Sequence, residues 1–563
     1  MPGPGQDSTV PNPELGLVSR QFAGAVLYVP HLTCVARVPP EGNFVYSLDP
    51  ATVERLDLVS ASKLEGATPA GLLPRGVVDR VLKERPEDVA SQIKAELVSG
   101  FLVGEPETLL CSKTRGRRPV SVLSTWERVT YRALIAEIQQ RLPQFERSRD
   151  AHESFVRAPL EAEGARFVVM SDVASFYQYI DHGLLQSELV AQTGDGHIAG
   201  AIGELLGSLM GRQFGLPQNR MASDVLAETV MGVVDRKLRR SGLRMWRYND
   251  DFRIVTPSRA TAHQALEQLE NVLRSIGLVT NEEKTSIRTT ERYAEWADAA
   301  KQRRVQAEHE FQFDFQDFTD FPSEYDEEYE DPDEDDEVEE LHYVQIDDEQ
   351  TDPDGPESAE IALSLLSAWR EQLDAETSVP RYGPDRYIER TILIASLRRL
   401  ASAGTIDAVP YLAQVLRTDP SLTVAVATYL TKMMRQHELD VDSFYEELLN
   451  AEELYISPWQ STWLMEPLRR STGFTATQLA WVQQCLSSAE PFVSASAADV
   501  LSTQGKVSEA DLLTLFGRAP VSAKPRLVSA VTRASGALGN EAVKNVIDGR
   551  PLYRWISEAT LNE

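Results

Sequence analysis

Between residues 100 and 304 the apolar positions follow two alternating periods. ARFVVMSD is a short apolar run ending in a carboxylate, the pattern of a strand covered on both faces. SDVLAETVMGVVDRKLRR and SRATAHQALEQLENVLRSIG place apolar side chains three and four apart, the stripe of an amphipathic helix. Between them MWRYNDDFRIV reads as two strands joined by a tight turn, and KTSIRT as a last short strand. Strand, helix, hairpin, helix, strand is the order of a ferredoxin-like βαββαβ layer, so this region is expected to be α+β. Upstream, apolar runs such as GAVLYVP are punctuated by Pro and Gly before a helical pattern in GVVDRVLKERPEDVASQIKAEL. From 361 onward helical periods recur in pairs: YIERTILIASLRRLASAG, DAVPYLAQVLRT, SLTVAVATYLTKMM, then SASAADVLSTQG and EADLLTLFGRA. A spacing of about 40 residues per pair predicts an all-α, HEAT-like array.

Composition changes this picture at one place. The 563 residues are 42% hydrophobic, enough for several cores, and carry a formal charge of −30. Residues 308 to 360 hold 25 Asp and Glu and no Lys or Arg, which leaves the rest of the chain at −5. The segment 305–360, with Tyr325, Tyr329 and Tyr343, repels itself too strongly to bury a core and is expected to be a disordered linker. No run reaches the roughly 18 apolar residues of a membrane span, and MPGPGQDSTV lacks the features of a leader, so a cytoplasmic protein without membrane contact is expected. Cys34, Cys111 and Cys485 form no CxxC pair, and the eight histidines form no HExxH, which excludes the common zinc sites.

The candidate chemistry is carboxylate chemistry. Asn249 favours a tight turn that sets Asp250 and Asp251 at a hairpin tip. In a ferredoxin-like layer the first strand lies beside that hairpin, so Asp172, at the end of FVVMS, can face Asp250. Facing carboxylates repel unless cations lie between them, and hard oxygen donors suit magnesium. Two such ions, with manganese as a substitute, can activate a hydroxyl and stabilise a leaving phosphate oxygen.

With these residues in view the chain resembles a reverse transcriptase. Asp172 with Phe176-Tyr177 resembles motif A, Gly215-Leu216-Pro217-Gln218-Asn219 with Ser223 resembles motif B, and Tyr248-Asn249-Asp250-Asp251 resembles motif C. Gly277-Leu278 with Asn281 and Lys284-Thr285 resembles motif D, and Lys113-Thr114-Arg115-Gly116-Arg117-Arg118-Pro119, with Arg128 and Arg132, resembles the basic fingers. The resemblance implies fingers and palm over 100–304, with 1–99 attached to the fingers. It implies metal ligation by Asp172, Asp250 and Asp251, and a proton-donating role for Lys284 at leaving pyrophosphate. Arg117 or Arg118 would meet the triphosphate of a dNTP, Tyr177 would be the steric gate against ribonucleotides, and Gln218 and Ser223 would touch nucleotide and template. Asn219 departs from the family, most members carrying Gly there; Asn tolerates left-handed backbone angles better than other side chains. A second basic cluster, Arg236, Lys237, Arg239, Arg240, Arg244 and Arg247, reads equally as a nucleic-acid track or as a solvated helix end.

A palm followed by a helical array, with no ribonuclease H, maturase thumb or HNH pattern, resembles the bacterial abortive-infection and other defence-associated reverse transcriptases. That resemblance implies DNA synthesis in antiphage defence, RNA-directed or template-independent. It also implies a protein primer in some members, an associated non-coding RNA and a homo-oligomer. The alternative is a catalytically silent polymerase-fold scaffold that binds nucleic acid. An RNA polymerase with a similar palm is opposed by Tyr177.

Overall fold

In the computed structural model the described residues are 44–298 and 359–563, apart from 68–71, 105–106, 114–115, 146–147, 361, 368, 371–383, 437–440 and 452–454. The GAVLYVP run, Thr114, Arg115, and the acidic stretch up to residue 358 with Tyr325, Tyr329 and Tyr343 lie outside them.

The described chain opens with strand β1 (Phe44–Tyr46) and helices α1 (Pro50–Arg55), α2 (Leu58–Ala67), α3 (Val77–Glu84) and α4 (Pro86–Ser99). The helical run expected here is cut at Arg85, because Pro86 has no amide hydrogen and fits only a first turn. α2 crosses α3 so closely that a Cβ on Gly66 would collide with the backbone of Asp79, Leu82 and Lys83. β1 pairs with β2 (Phe101–Val103), while β3 (Glu107–Ser112) and β4 (Arg117–Val122) form a separate hairpin. α5 (Thr125–Gln139) starts with a capping box in which Ser124 and Glu127 bond each other's amides. It packs on α2, burying ion pairs of Arg128 with Asp79 at 2.8 Å and Arg132 with Glu65 at 2.7 Å. Residues 44–99 thus share one layer with α5.

After α6 (Arg149–Arg157) comes the four-stranded sheet: β5 (Phe167–Ser171), β6 (Arg244–Tyr248), β7 (Asp251–Thr256) and β8 (Ser286–Thr289). All pairings are antiparallel and the order is β6-β7-β5-β8, the ferredoxin-like arrangement expected, with β5 inside and β7 beside it. α7 (His182–Thr193), α8 (Gly196–Met210) and α9 (Met221–Arg240) connect β5 to β6; α10 (Arg259–Arg274) connects β7 to β8 and packs on β5, β7 and α9. One face of the sheet enters the large core through Val169, Phe252 and Ile254, and the other is covered by a small cluster of Val168, Met170, Val255 and Tyr293. Cover on both faces is why the β5 run is apolar without alternation.

The C-terminal region is helical: α11 (Pro384–Ser402), α12 (Val409–Thr418), α13 (Thr423–Gln436), α14 (Asp442–Leu449), α15 (Pro458–Leu468), α16 (Ala476–Leu486), α17 (Pro491–Ser502), α18 (Glu509–Arg518), α19 (Lys524–Ser535), α20 (Glu541–Ile547) and α21 (Pro551–Leu561). Each odd-numbered helix packs on the next odd one, making an inner row; α12, α14 and α16, then α18 and α20, make an outer row. α17, in the inner row, is buried at every residue after Pro491, which its run of Ala and Ser allows.

The N-terminal half and the C-terminal helices share cores. Leu109, Cys111, Val120 and Val122 of the β3–β4 hairpin share a core with Leu412, Trp459 and Leu501, and the Trp459 indole donates to the Leu72 carbonyl at 2.6 Å. Val528 and Ile556 enter the same core as Leu82 and Ile93 of α3 and α4. The helical region is built onto the β3–β4 hairpin and onto α3 and α4, and every described residue belongs to the compact unit 37–563.

Candidate active site

The central strand delivers the first carboxylate. β5 ends at Ser171, paired with Phe252, so Asp172 emerges beside the tip of the β6–β7 hairpin. At that tip Tyr248 pairs with Asp251 around a two-residue turn, and Asn249 takes a φ of 51° in the left-handed region, which Asn tolerates. Carboxylate oxygens of Asp172, Asp250 and Asp251 lie within 4.8 Å of one another, and the residues are 5, 7 and 4% exposed.

Several side chains hold the three in place. The Asn281 side-chain amide donates to Asp172 Oδ2 at 3.1 Å, and its backbone amide donates to the Asp172 carbonyl at 2.7 Å. The Lys284 ammonium stands 3.6 Å from Asp172 Oδ1, on the short 3-10 turn Glu282–Lys284. Arg253, 1% exposed, faces Asp251 at 3.5 Å while its guanidinium lies over the rings of Phe155 and Trp296. Arg247, on β6, clamps the turn to α9: it bonds both Glu228 and Asp235 bidentately and donates to the Asn249 carbonyl at 2.6 Å. Burial opposes its charge, yet those two carboxylates hold its proton above the ordinary arginine range.

Arg247 is thus engaged within the protein, while exposed Arg236 and Lys237 make surface contacts with Glu188 at 2.6 Å and with the Ser275 hydroxyl at 2.9 Å.

Tyr177 is 6% exposed and its hydroxyl donates to Asp224 Oδ1 at 2.6 Å, which fixes the ring against α9. The motif B turn is pinned to the same segment by Leu216 N to Tyr177 O at 2.7 Å and Gly215 N to Ile180 O at 2.8 Å. Gly215 has a φ of 94°, and a Cβ there would press on the Gln178 carbonyl. Asn219, at φ 59°, adopts the left-handed conformation its identity allows, and Gln218 beside it is half-buried. Ser223 differs from expectation: it is fully buried, donating to the Pro217 carbonyl at 2.5 Å and bonded to the Tyr131 hydroxyl at 2.9 Å, so it braces the turn.

Arg117 and Arg118 stand apart from this group, on the β3–β4 hairpin. Arg118 is buried opposite Cys111, and exposed Arg117 lies over the Tyr455 ring at 5.7 Å, facing the helical region. Three features escaped sequence reasoning. Arg253 had a signal, a lone arginine inside an apolar strand run. The Arg247 clamp had none. The third is a pair of exposed rings, Tyr179 and Phe214, stacked 6.2 Å apart with Arg212 over Phe214 at 4.6 Å.

Three buried carboxylates beside the end of a central strand form a hard-oxygen donor set that fits divalent cations and phosphate chemistry. Residues 111–316 match the family model described as reverse transcriptase (RNA-dependent DNA polymerase), so the chain carries a reverse transcriptase domain, an enzyme domain of the nucleotidyltransferase class. No curated protein matches the chain. Among solved structures that match, telomerase from Candida albicans in complex with a TWJ fragment of telomeric RNA is 11% identical with a TM-score of 0.28. That match covers 63% of this chain, and this chain spans 65% of that one. Among the described residues no helix is long and apolar enough to cross a membrane.

Proposed function

We propose that the chain is a DNA polymerase, RNA-directed or template-independent, that adds deoxynucleotides by two-metal nucleotidyl transfer. The observation that carries this reading is the convergence of three buried carboxylates, with oxygens within 4.8 Å, inside a reverse transcriptase domain. Asp172, Asp250 and Asp251 would hold two magnesium ions, with manganese as a substitute; when bound, these supply hydroxyl activation and charge neutralisation at the phosphates.

The chain's own side chains do the rest. Asn281 and Lys284 fix Asp172, Arg253 faces Asp251, and the Arg247 clamp sets the height of the turn. Lys284 is the group that carries a proton to leaving pyrophosphate. Tyr177, tethered through its hydroxyl, offers an immobile ring as the gate against a ribose 2′-hydroxyl. Gln218 faces nucleotide and template, and the Tyr179–Phe214 stack suits unpaired bases.

The helical region is read as a HEAT-like array, in keeping with its two rows of helices. With the palm it supports a role in bacterial antiphage defence, in the cytoplasm, with an RNA template or an associated non-coding RNA, a protein primer and a homo-oligomer as partners. The test is incorporation of each labelled deoxynucleotide with magnesium, with and without template and primer, followed by protease treatment. Product made without template that shifts on proteolysis identifies protein-primed synthesis; product only with RNA identifies reverse transcription; no product under any condition contradicts the reading.

A further inference from the structure

Away from the carboxylates, a cavity of about 60 Å³ lies where the fingers, the start of α9 and the helical region meet. Its wall gathers the beginnings of five helices: Gly76 at α3, Thr125 at α5, Arg220 at α9, Phe492 at α17 and Arg526 at α19. Helix N-termini carry partial positive charge, and neither α9 nor α19 has a side-chain cap.

Three guanidiniums line the cavity, against the single carboxylate of Asp79. Arg128 spends one terminal nitrogen on Asp79 at 2.8 Å, but its Nε is buried without a hydrogen-bond partner, and so is the Ser522 hydroxyl. Arg220 reaches Glu65 at 3.2 Å, a carboxylate already paired with Arg132 at 2.7 Å. Arg526 shares Glu466 with Arg469, both at 3.1 Å, and its other terminal nitrogen donates to the Pro74 carbonyl at 2.6 Å, so it contributes to the cavity chiefly through its charge. Burial, with Arg128 and Arg132 nearby, holds Arg220 below the ordinary arginine range in spite of Glu65. A buried donor left unmade is costly, and cations gathered around a cavity whose remaining wall is mostly apolar are stabilised by an anion placed in it.

We propose that this cavity binds one phosphate-sized oxyanion, accepting from Arg128, Arg220 and Ser522 beside the charge of Arg526. The volume equals roughly four water-sized spaces, which fits a single phosphoryl group and excludes a nucleobase. Guanidiniums match its oxygens in geometry and charge. The bound group is either free phosphate or the terminal phosphate of a longer molecule. It joins α5, α9 and α19. Because Arg220 follows Asn219 and stands at the start of the helix that holds Tyr177 and Arg247, occupancy braces the motif B turn. The proposal stands on the cavity and does not depend on polymerase activity.

The test is calorimetric titration and thermal unfolding of the full chain with inorganic phosphate, against chloride at matched ionic strength, with a nucleoside 5′-monophosphate as a second arm. Wild type is expected to bind phosphate saturably and to unfold at higher temperature when it is bound. Arg526→Gln, which leaves Glu466 with Arg469, is expected to weaken binding at least tenfold. Ser522→Asp, at a half-buried position, sets a carboxylate among the cavity's guanidiniums and is expected to abolish the phosphate effect with no loss of basal unfolding temperature. Tighter binding of the monophosphate assigns the site to a terminal phosphate, and tighter binding of inorganic phosphate to the free ion. No saturable effect beyond that of chloride, or equal affinity in wild type and Ser522→Asp, overturns the proposal.

Discussion

Glu107, at the start of β3, joins the hairpin to the helical region: its Oε1 accepts the Phe492 amide at the beginning of α17 at 2.8 Å, while Oε2 is buried without a hydrogen-bond partner. Burial pushes this carboxyl from an ordinary 4.5 up to about 7; the Phe492 amide opposes the rise and the charge of Glu490 adds to it. The folded protein therefore holds a proton that the unfolded chain has released, and stability falls as pH rises from about 4.5 through about 7. At about 1.4 kcal/mol per pH unit, the displacement is worth about 3 kcal/mol. Glu107→Gln keeps an oxygen for the Phe492 amide and stays neutral at every pH. It is expected to match wild type near pH 5 and to exceed it by about 3 kcal/mol near pH 8. Urea unfolding followed by tryptophan fluorescence reads this, since Trp459 and Trp463 both donate to Leu72 at the same junction. A difference between variant and wild type that stays constant from pH 5 to pH 8 would refute the reasoning.

Other perturbations test other parts of the site. Arg247→Met leaves Glu228 and Asp235 facing each other at half-buried positions and should cost about 2–3 kcal/mol in urea unfolding, part of it recovered when both acids are also made amides. Asn219→Val forces a branched side chain into the left-handed region and should cost about 1–2 kcal/mol, whereas Asn219→Gly should leave stability near wild type. Tyr177→Val should admit ribonucleotides in an incorporation assay, whereas Tyr177→Phe, which keeps the ring and loses only the bond to Asp224, should still prefer deoxynucleotides; unchanged sugar preference in the valine variant counts against the gate.

The parts of the molecule legible in the sequence are those fixed by local periodicity. The unbroken apolar run of β5, the stripes on α9 and α10, and the Asn249 turn gave the order of the palm, and that order alone brings Asp172 to Asp250. What escaped depends on contacts between distant residues. Arg247 reads as one more charge in a basic cluster until Glu228 and Asp235, on another element, are found around it. Ser223 sits where the motif resembles a substrate contact, but Tyr131, far upstream, takes its hydroxyl. The β3–β4 hairpin looks like a basic loop because Arg117 and Arg118 dominate it, and nothing local reveals that Leu109 and Val120 bury against helices of the C-terminal region.

The central claim is that the Asp172, Asp250 and Asp251 cluster performs divalent-metal-dependent nucleotide addition. Its most direct test compares deoxynucleotide incorporation by wild type and Asp250→Asn, an isosteric change that removes a ligand charge while keeping the turn, over a magnesium titration and with folding checked by circular dichroism. The account predicts magnesium-dependent incorporation by wild type and background incorporation by the folded variant. Undiminished incorporation by Asp250→Asn, or incorporation by wild type that is indifferent to divalent cations, would contradict it.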